Sequence, residues 1–426
     1  MRGPMPHKNY LVALDGEILE LVKLIGVEAQ RLNMSSYIVG GIVRDLILRA
    51  DNLDLDIVVD KDAVVLAKHL AEMLNAEIQS YELFKTATLT LPSARRIDIA
   101  TVRKEAYPKA GQLPVVKEGS LKDDLLRRDF TINAMAISIT PSFFGKLIDE
   151  YKGMNDLKKG LIRILHDQSF RDDPTRILRA VRFEERYGFK IESKTLSLMR
   201  EALREKYAQN VKPPRYFSEF KKILKEKQPV KYLKRLYDME GLKFLDVDKV
   251  DFYGLKRLES NFKDFKKKQP ISLEYEDWFL YLMAVLKNKK SSHINALSRK
   301  FHLRKEEEVS LLQSSKKDIV IKELSPAKLK TSEICDVLRV FNLDVVVYFR
   351  LMADKENVKT RIDEYLYKIR MIKLDITGED LSGLGVPQGR KMKEILTAVL
   401  KEKIDRSFNN KYQELNEVQL LIKKMK

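Results

Sequence analysis

A small α/β domain followed by an extended array of helices is the architecture that this 426-residue sequence predicts. Three observations point to it. Short apolar and β-branched runs alternate with helical patterns over about the first 160 residues. From about residue 161 the strand signals nearly vanish, and helices punctuated by Pro213-Pro214, Pro270, Pro326 and a Gly-rich stretch at 378–389 take over. The charge divides in a similar way: residues 211–426 carry 47 Lys+Arg against 32 Asp+Glu, residues 1–210 only 33 against 30. A near-neutral half beside a basic half suggests chemistry on one and a polyanion footprint on the other.

Composition narrows the class further. A hydrophobic content of 44% argues against wholesale disorder. Cys335 is the single cysteine, which excludes a disulfide scaffold and a multi-cysteine zinc site. His7, His69, His166, His293 and His302 are scattered without metal-ligand spacing. The longest apolar run, Trp278 to Leu286, is far shorter than the roughly 18 residues that span a membrane. With no charged-then-apolar secretory start, the expectation is a cytoplasmic, multidomain protein that does not engage a membrane. The opening MRGPMP is given no weight.

Taken in order, the first 35 residues have a helical pattern, with apolar Ile18, Leu21, Val22 and Ile25. Tyr37-Ile38-Val39 reads as a short strand ending in Gly40-Gly41, and 42–49 as a helix. Leu53 to Val59 reads as a strand, 62–75 as a helix, and Thr86 to Leu91 and Arg96 to Val102 as two more strands. Residues 103–120, with Pro108, Gly111, Pro114 and Gly119, lack periodicity and read as a loop. Residues 121–135 read as helix and Leu147 to Asp149 as strand.

Three constellations carry chemistry. In the first, Gly40-Gly41-Ile42-Val43-Arg44-Asp45 joins a strand to a helix, so the backbone can approach a ligand and the helix start offers free N–H groups to a phosphate. Asp54 and Asp56 follow, two apart on a strand, so both carboxylates leave one face. Such a pair repels itself unless a cation intervenes, and Mg²⁺ fits because it takes one or two carboxylates plus phosphate oxygens. Asp98, on a neighbouring strand, is either a third acid of a two-metal phosphoryl-transfer site or an ordinary surface acid. The second constellation is Arg127-Arg128-Asp129-Phe130-Thr131-Ile132-Asn133-Ala134, whose arginines and Asn133 suit a triphosphate and a ribose; the alternative is a charged helix start. In the third, Asp172-Asp173-Pro174-Thr175-Arg176-Ile177-Leu178-Arg179-Ala180-Val181-Arg182-Phe183, the residues Asp173, Arg176, Arg179 and Arg182 are spaced by three. The stripe drifts around an ideal helix, so Asp173 and Arg176 aim at one target and Arg182 at another.

Together these motifs resemble the bacterial-type (class II) tRNA nucleotidyltransferase/poly(A) polymerase family, over about the first 190 residues and in the order GGxVRD, DxD, RRDFTINAMA, DDPTRILRAVRF. The resemblance implies a polymerase-β-like nucleotidyltransferase head followed by an all-α neck, body and tail. The expected limits are 1–160, 161–240, 241–345 and 346–426. It implies that Asp54 and Asp56 bind metal and that Gly40, Gly41 and Arg44 lie near phosphates. Arg128 and Asn133 would bind nucleotide, and Asp173, Arg176, Arg179 and Arg182 would surround the incoming base. The family's neck motif usually opens with Glu, where this chain has Asp172. Pro214-Arg215-Tyr216-Phe217-Ser218-Glu219 loosely resembles the helix that closes the neck. Thr377 to Gly389, leading into a helix from about Arg390, resembles the tail of CCA-adding enzymes.

The activity implied is addition of CCA to tRNA from CTP and ATP by two-metal nucleotidyl transfer with Mg²⁺. Asp173 and Arg176 complement the amine donor and ring-nitrogen acceptor that cytosine and adenine share. Within the family, A-adding and CC-adding enzymes and poly(A) polymerases are the alternatives, and a catalytically idle RNA-binding protein is the alternative outside the enzymes. The segment 103–120 argues against CC addition alone, and the tail resemblance favours CCA.

Overall fold

The computed structural model describes residues 9–50, 54–271, 273–408 and 410–424. Leu53, the expected strand start, and the opening MRGPMP lie outside the described residues, and Asp54, expected on that strand, stands just before its first residue, Leu55. The chain divides into two compact units, the first made of residues up to Phe220 with Arg235–Phe244, the second of Lys221–Lys234 and Leu245 onward.

The first unit is built on a seven-stranded sheet. Its chain order is α1 (Gly16–Arg31), β1 (Ser36–Val39), α2 (Gly41–Leu48), β2 (Leu55–Val59), α3 (Ala63–Leu74), β3 (Glu77–Tyr81), β4 (Thr86–Thr90) and β5 (Arg96–Thr101). Next come β6 (Arg103–Ala106), β7 (Val115–Glu118), α4 (Leu121–Leu126), β8 (Ala136–Ser138), β9 (Leu147–Ile148) and α5 (Gly153–Lys159). Then follow α6 (Ser169–Asp172), α7 (Thr175–Tyr187), α8 (Ser193–Arg204) and α9 (Pro213–Leu224), the last counted in this unit as far as Phe220. The sheet order is β3-β4-β5-β2-β1-β8-β9. Only the central β2–β5 pair is parallel, and it sets Asp56 opposite Asp98. The excursion through α3, β3 and β4 supplies the crossover that a parallel pair requires.

Alternation sorts the side chains of β2 onto two faces. Leu55, Ile57 and Val59 are buried on one face, and α3 packs across β3, β4 and β5. On the other, Val58 joins Val39, Leu125 and Ala134 in a core cluster that roofs one end of the sheet and leaves Asp56 beyond its border. The helix starts are satisfied locally: Asp15 accepts from Glu17 N at 2.9 Å, and Asp62 accepts from Val64 N at 2.9 Å.

Two expectations are corrected by the structure. The segment 103–120 is not an irregular loop but an antiparallel hairpin, β6 with β7, paired from Arg103↔Glu118 to Ala106↔Val115. Alternation was hidden because Arg103, Glu105 and Tyr107 turn polar side chains inward. Residues 121–135 do not form one helix: α4 ends at Leu126, and Thr131–Asn133 is a single 3₁₀ turn. Beyond residue 161 a two-residue parallel ribbon remains, Leu161–Ile162 with Lys190–Ile191. The edge strand β3, with every residue exposed, carries no apolar alternation by which sequence could find it.

The described residues of the second unit form helices joined by turns, with no strand among them. Helices Asp277–Leu286 and Leu343–Met352 are buried nearly all round, which accounts for the long apolar run. In its last part, buried Glu414 accepts from the backbone N–H groups of Asp375 and Ile376 and from Lys403. The helix Arg390–Arg406 begins where the Gly-rich stretch foretold.

Candidate active site

The strand–glycine–helix junction organises the site. β1 ends at Val39, and Gly40 turns the chain with φ 82° and ψ −137° before α2 begins at Gly41. A Cβ on Gly40 would sit 2.8 Å from Arg128 Nη1 and 3.7 Å from Asp56 Oδ2. Glycine is therefore needed twice over, for the positive φ and for the close approach of a guanidinium and a carboxylate to the backbone.

Around this junction lies a cavity of about 530 Å³. Gly40, Gly41, Arg44, Asp54, Asp56, Arg128, Asn133, Asp173, Arg176, Arg179 and Arg182 all line it. Asp98 does not; it lines an adjoining groove with Asp56, Arg127 and Arg128. Nine arginines face the cavity against five carboxylates. That excess of fixed positive charge suits a multiply charged anion.

The arginines are held by buried acids. Asp124, one turn back on α4, takes Arg127 Nη2 at 2.7 Å and Arg128 Nη2 at 2.8 Å. Burial alone would raise the Asp124 pKa; the charges of Arg128 and Arg127 outweigh it and hold it low. Glu105 of β6 takes Arg127 Nη1 at 3.1 Å, Arg103 Nη2 at 3.0 Å and the Tyr107 hydroxyl at 2.8 Å. A polar chain then crosses the floor. Arg44 donates to Asp45 and to Asn133 Oδ1, Asn133 Nδ2 donates to Asp129 Oδ1 at 2.8 Å, and Arg179 Nε donates to Asp129 Oδ2 at 2.8 Å. Arg44 also lies over the rings of Phe183 and Tyr187, at 5.1 and 4.8 Å. Burial pushes the Asp129 pKa up, but Arg179, Asn133 and Arg176 together pull it down to about 2.

The neck stripe is partly corrected. Asp173 is not on the helix with the arginines; it closes α6, and α7 starts after Pro174. Its Oδ1 accepts from Thr175 N at 3.1 Å and from the Thr175 hydroxyl at 2.6 Å, and its Oδ2 accepts from Arg215 Nη2 at 2.7 Å. Arg176 donates to Ser169 Oγ and, at 2.7 Å, to the carbonyl of Arg127. Arg179 and Arg182 approach Glu219 of α9 at 3.6 and 3.7 Å. All four face one cavity, and Arg179 and Arg182 share Glu219. Sequence reasoning missed Arg103, Glu105, Tyr107, Asp124 and Ser169 as site residues; the two-residue spacing of 103, 105 and 107 was the available signal.

Asp56 is shifted in the opposite direction to Asp124 and Asp129. Burial raises its pKa to about 6, against the pull of Arg128 and with help from Asp98 and Asp54. Such a carboxylate gains from a nearby cation. Among the described residues no three His, Cys, Asp or Glu side chains are grouped to hold a metal alone. The donor chemistry fits an ion such as Mg²⁺, which completes its shell with water and phosphate oxygens.

A mixed sheet bearing paired acids beside a glycine turn, with helices after it, is the architecture of polymerase-β-like nucleotidyltransferases. Residues 36–163 match the Poly A polymerase head domain, and 188–245 match a segment described as a probable RNA- and SrmB-binding site of polymerase A. The chain is 33% identical over 411 residues to an A-adding tRNA nucleotidyltransferase of Halalkalibacterium halodurans, covering 93% of this chain and 91% of that protein. It is 32% identical to another from Geobacter sulfurreducens, covering 90% of this chain but only 45% of that longer protein. The solved Thermotoga maritima CCA-adding enzyme complexed with tRNA superposes with a TM-score of 0.75 at 32% identity, over 97% of this chain and 98% of that one. This chain belongs to the family of bacterial tRNA nucleotidyltransferases and poly(A) polymerases.

Among the described residues no helix is long and apolar enough to cross a membrane. Several lysines of the basic second unit have partners within it: Lys266 pairs with Asp277 at 2.9 Å, Lys287 with Asp251, and Lys289 with the carbonyl of Asp246.

Proposed function

We propose that this protein adds C and A residues to the 3′ end of tRNA from CTP and ATP without a nucleic-acid template, completing the CCA triplet. The observation that carries the reading is the convergence of three distant motifs on one arginine-rich cavity beside Asp54 and Asp56. In the reaction the acceptor's 3′-oxygen bonds to the α-phosphorus, the bond to the β-phosphate bridge breaks, and pyrophosphate leaves. Asp54 and Asp56 would hold Mg²⁺, with Asp98 as the third acid on the acceptor side. Such ions, when bound, make the attacking hydroxyl more acidic and offset charge on the leaving group. Arg127 and Arg128, braced by Asp124, hold phosphate oxygens with planar forks. Gly40 and Gly41 let the phosphates reach the start of α2, and Arg44 with Asn133 fixes the floor beneath them.

At the neck, Asp173 accepts from the exocyclic amine of cytosine or adenine, and Arg176 donates to the ring nitrogen. Guanine and uracil present the reverse pattern and leave buried groups unpaired, at ~1–3 kcal/mol each. Arg179 and Arg182 serve the phosphates and the integrity of the pocket. In this reading residues 1–160 carry the chemistry, 161–240 the base selection and 346–426 tRNA binding, with 241–345 as a helical body.

A second reading, addition of the terminal A alone, is favoured by the A-adding relatives named above. One experiment separates the two. tRNAs ending before CCA, after C and after CC are offered CTP or ATP, singly and together. CTP incorporation into the first two supports CCA addition. Extension of the CC-ended tRNA alone, and only with ATP, supports A addition. Transfer to none of them refutes both.

A further inference from the structure

A groove of about 310 Å³ adjoins the cavity and shares Asp56, Arg127 and Arg128 with it. It runs over the sheet from Asp56 to the edge, past Asp98, Thr88 and Thr86 to Tyr81. The register produces this line: Asp56 lies opposite Asp98, Asp98 opposite Thr88, and Thr86 opposite Tyr81. Side chains two apart share a face, so Thr86, Thr88, Asp98 and Asp56 stand together while Ala87, Leu89, Ile97 and Ile99 are buried behind them. Three strand spacings carry the groove across roughly 14 Å.

Two details define its chemistry. Thr88 Oγ1 donates to Asp98 Oδ1 at 2.5 Å. A hydroxyl has one proton; with that proton committed, the oxygen can only accept from a ligand. At the outer end Tyr81 is 49% exposed, and its hydroxyl accepts from Gln79 Nε2 at 2.7 Å, which steadies the ring.

We infer that this groove seats the 3′-terminal nucleotide of the acceptor RNA, and that Thr88 tells a terminal ribose from a deoxyribose there. The inference rests on the transferase reading above. In-line displacement puts the attacking hydroxyl on the side of the α-phosphorus opposite the leaving pyrophosphate. The arginine-rich cavity suits the triphosphate, so the attacking end enters from the other opening beside Asp56. There a terminal 2′-hydroxyl donates to Thr88 Oγ1 while the adjacent 3′-hydroxyl faces the Asp98–Asp56 row. A deoxyribose has nothing to donate at that point. The Tyr81 ring offers a face on which a base of the acceptor end stacks.

The test uses acceptor RNAs that differ only in the terminal sugar, ribose or 2′-deoxyribose. They are extended with a single nucleoside triphosphate by the wild-type chain, Thr88→Val, Thr88→Ser and Tyr81→Ala. The wild type is expected to favour the ribose end by roughly five- to tenfold in kcat/KM, the worth of one hydrogen bond. Thr88→Ser keeps that preference, and Thr88→Val brings it close to one. Tyr81→Ala raises the acceptor KM about tenfold for both ends and leaves the nucleotide KM unchanged. The ratio between sugars is a readout that a general disturbance of the fold or of Asp98 does not move. If Thr88→Val keeps the wild-type ratio, or if the wild type shows no preference, the inference is overturned while the transferase reading stands. An unchanged acceptor KM in Tyr81→Ala removes the ring from the site. If the wild type extends no RNA end at all, the underlying reading falls and the inference with it.

Discussion

Replacing Gly40 by alanine tests the junction on which the site is built. The native φ of 82° with ψ of −137° lies where a residue with a side chain is strained by ~1–3 kcal/mol. The new methyl would stand 2.8 Å from Arg128 Nη1, well inside normal contact, so the guanidinium has to retreat. It cannot do so freely, because its Nη2 is bonded to the fully buried Asp124 at 2.8 Å. Weakening that charge-assisted bond adds ~1 kcal/mol, part of the ~1.5–3 kcal/mol such a bond contributes. At about 2–4 °C per kcal/mol for a domain of this size, the melting temperature should fall by roughly 5–15 °C. Turnover should fall more steeply, since Arg128 moves away from the cavity. Gly16→Ala is the control. That glycine starts α1, and a methyl added there would meet no atom within 4 Å. The change should alter stability by no more than ~1 kcal/mol, in the favourable direction. Thermal unfolding and nucleotide incorporation, measured on both variants, decide the matter. If Gly40→Ala melts within about 2 °C of wild type and turns over normally, the close approach of Arg128 is not what the glycine serves.

Three further outcomes are expected. Asp54→Ala and Asp56→Ala should each abolish transfer while tRNA affinity, measured separately by filter binding, persists; near-normal turnover in either would refute the proposal that they hold metal. Asp173→Ala should relax discrimination against UTP and GTP, whereas Arg182→Ala should lower turnover with every nucleotide and keep their ranking, as competition among all four triphosphates would reveal; the opposite pattern reverses the roles. Asp129 has a folded pKa of about 2 against about 3.9 when unfolded, so it contributes ~2–3 kcal/mol that is fully present above about pH 5 and lost as pH falls toward 2. Urea unfolding between pH 2 and 6 should show that slope in wild type and a flatter one in Asp129→Asn; equal slopes would contradict the Arg179–Asp129 linkage.

Much of the site was legible because its residues keep strong local signatures. A glycine pair between strand and helix, two acids two apart at the start of an apolar strand and arginines repeated every three residues are short-range patterns, and alternation or helical periodicity exposes them. The hairpin 103–118 was not legible, because its inward Arg103 and Glu105 are charged and bond to each other, and Glu105 also to Arg127, rather than packing into an apolar core. The same reasoning explains Asn133, expected one helical turn from the arginines but found on a 3₁₀ turn and held by Arg44 and Asp129.

By itself the sequence determined the order of α/β head and helical remainder, the strand that carries Asp56, and the family to which the motifs belong; Asp54, expected on that strand, stands just before its first residue, Leu55. These follow from periodicity and from residue types whose conformational needs are local. Only the tertiary structure decided that Asp98 stands opposite Asp56, because a parallel register depends on how the whole β2–β5 crossover packs. It alone assigned partners within the neck, setting Asp173 against Arg215 and Arg179 against Asp129, across 42 and 50 residues of chain. A buried charge takes whichever opposite charge the fold brings within reach, and that choice is made by packing at long range, which no local pattern encodes.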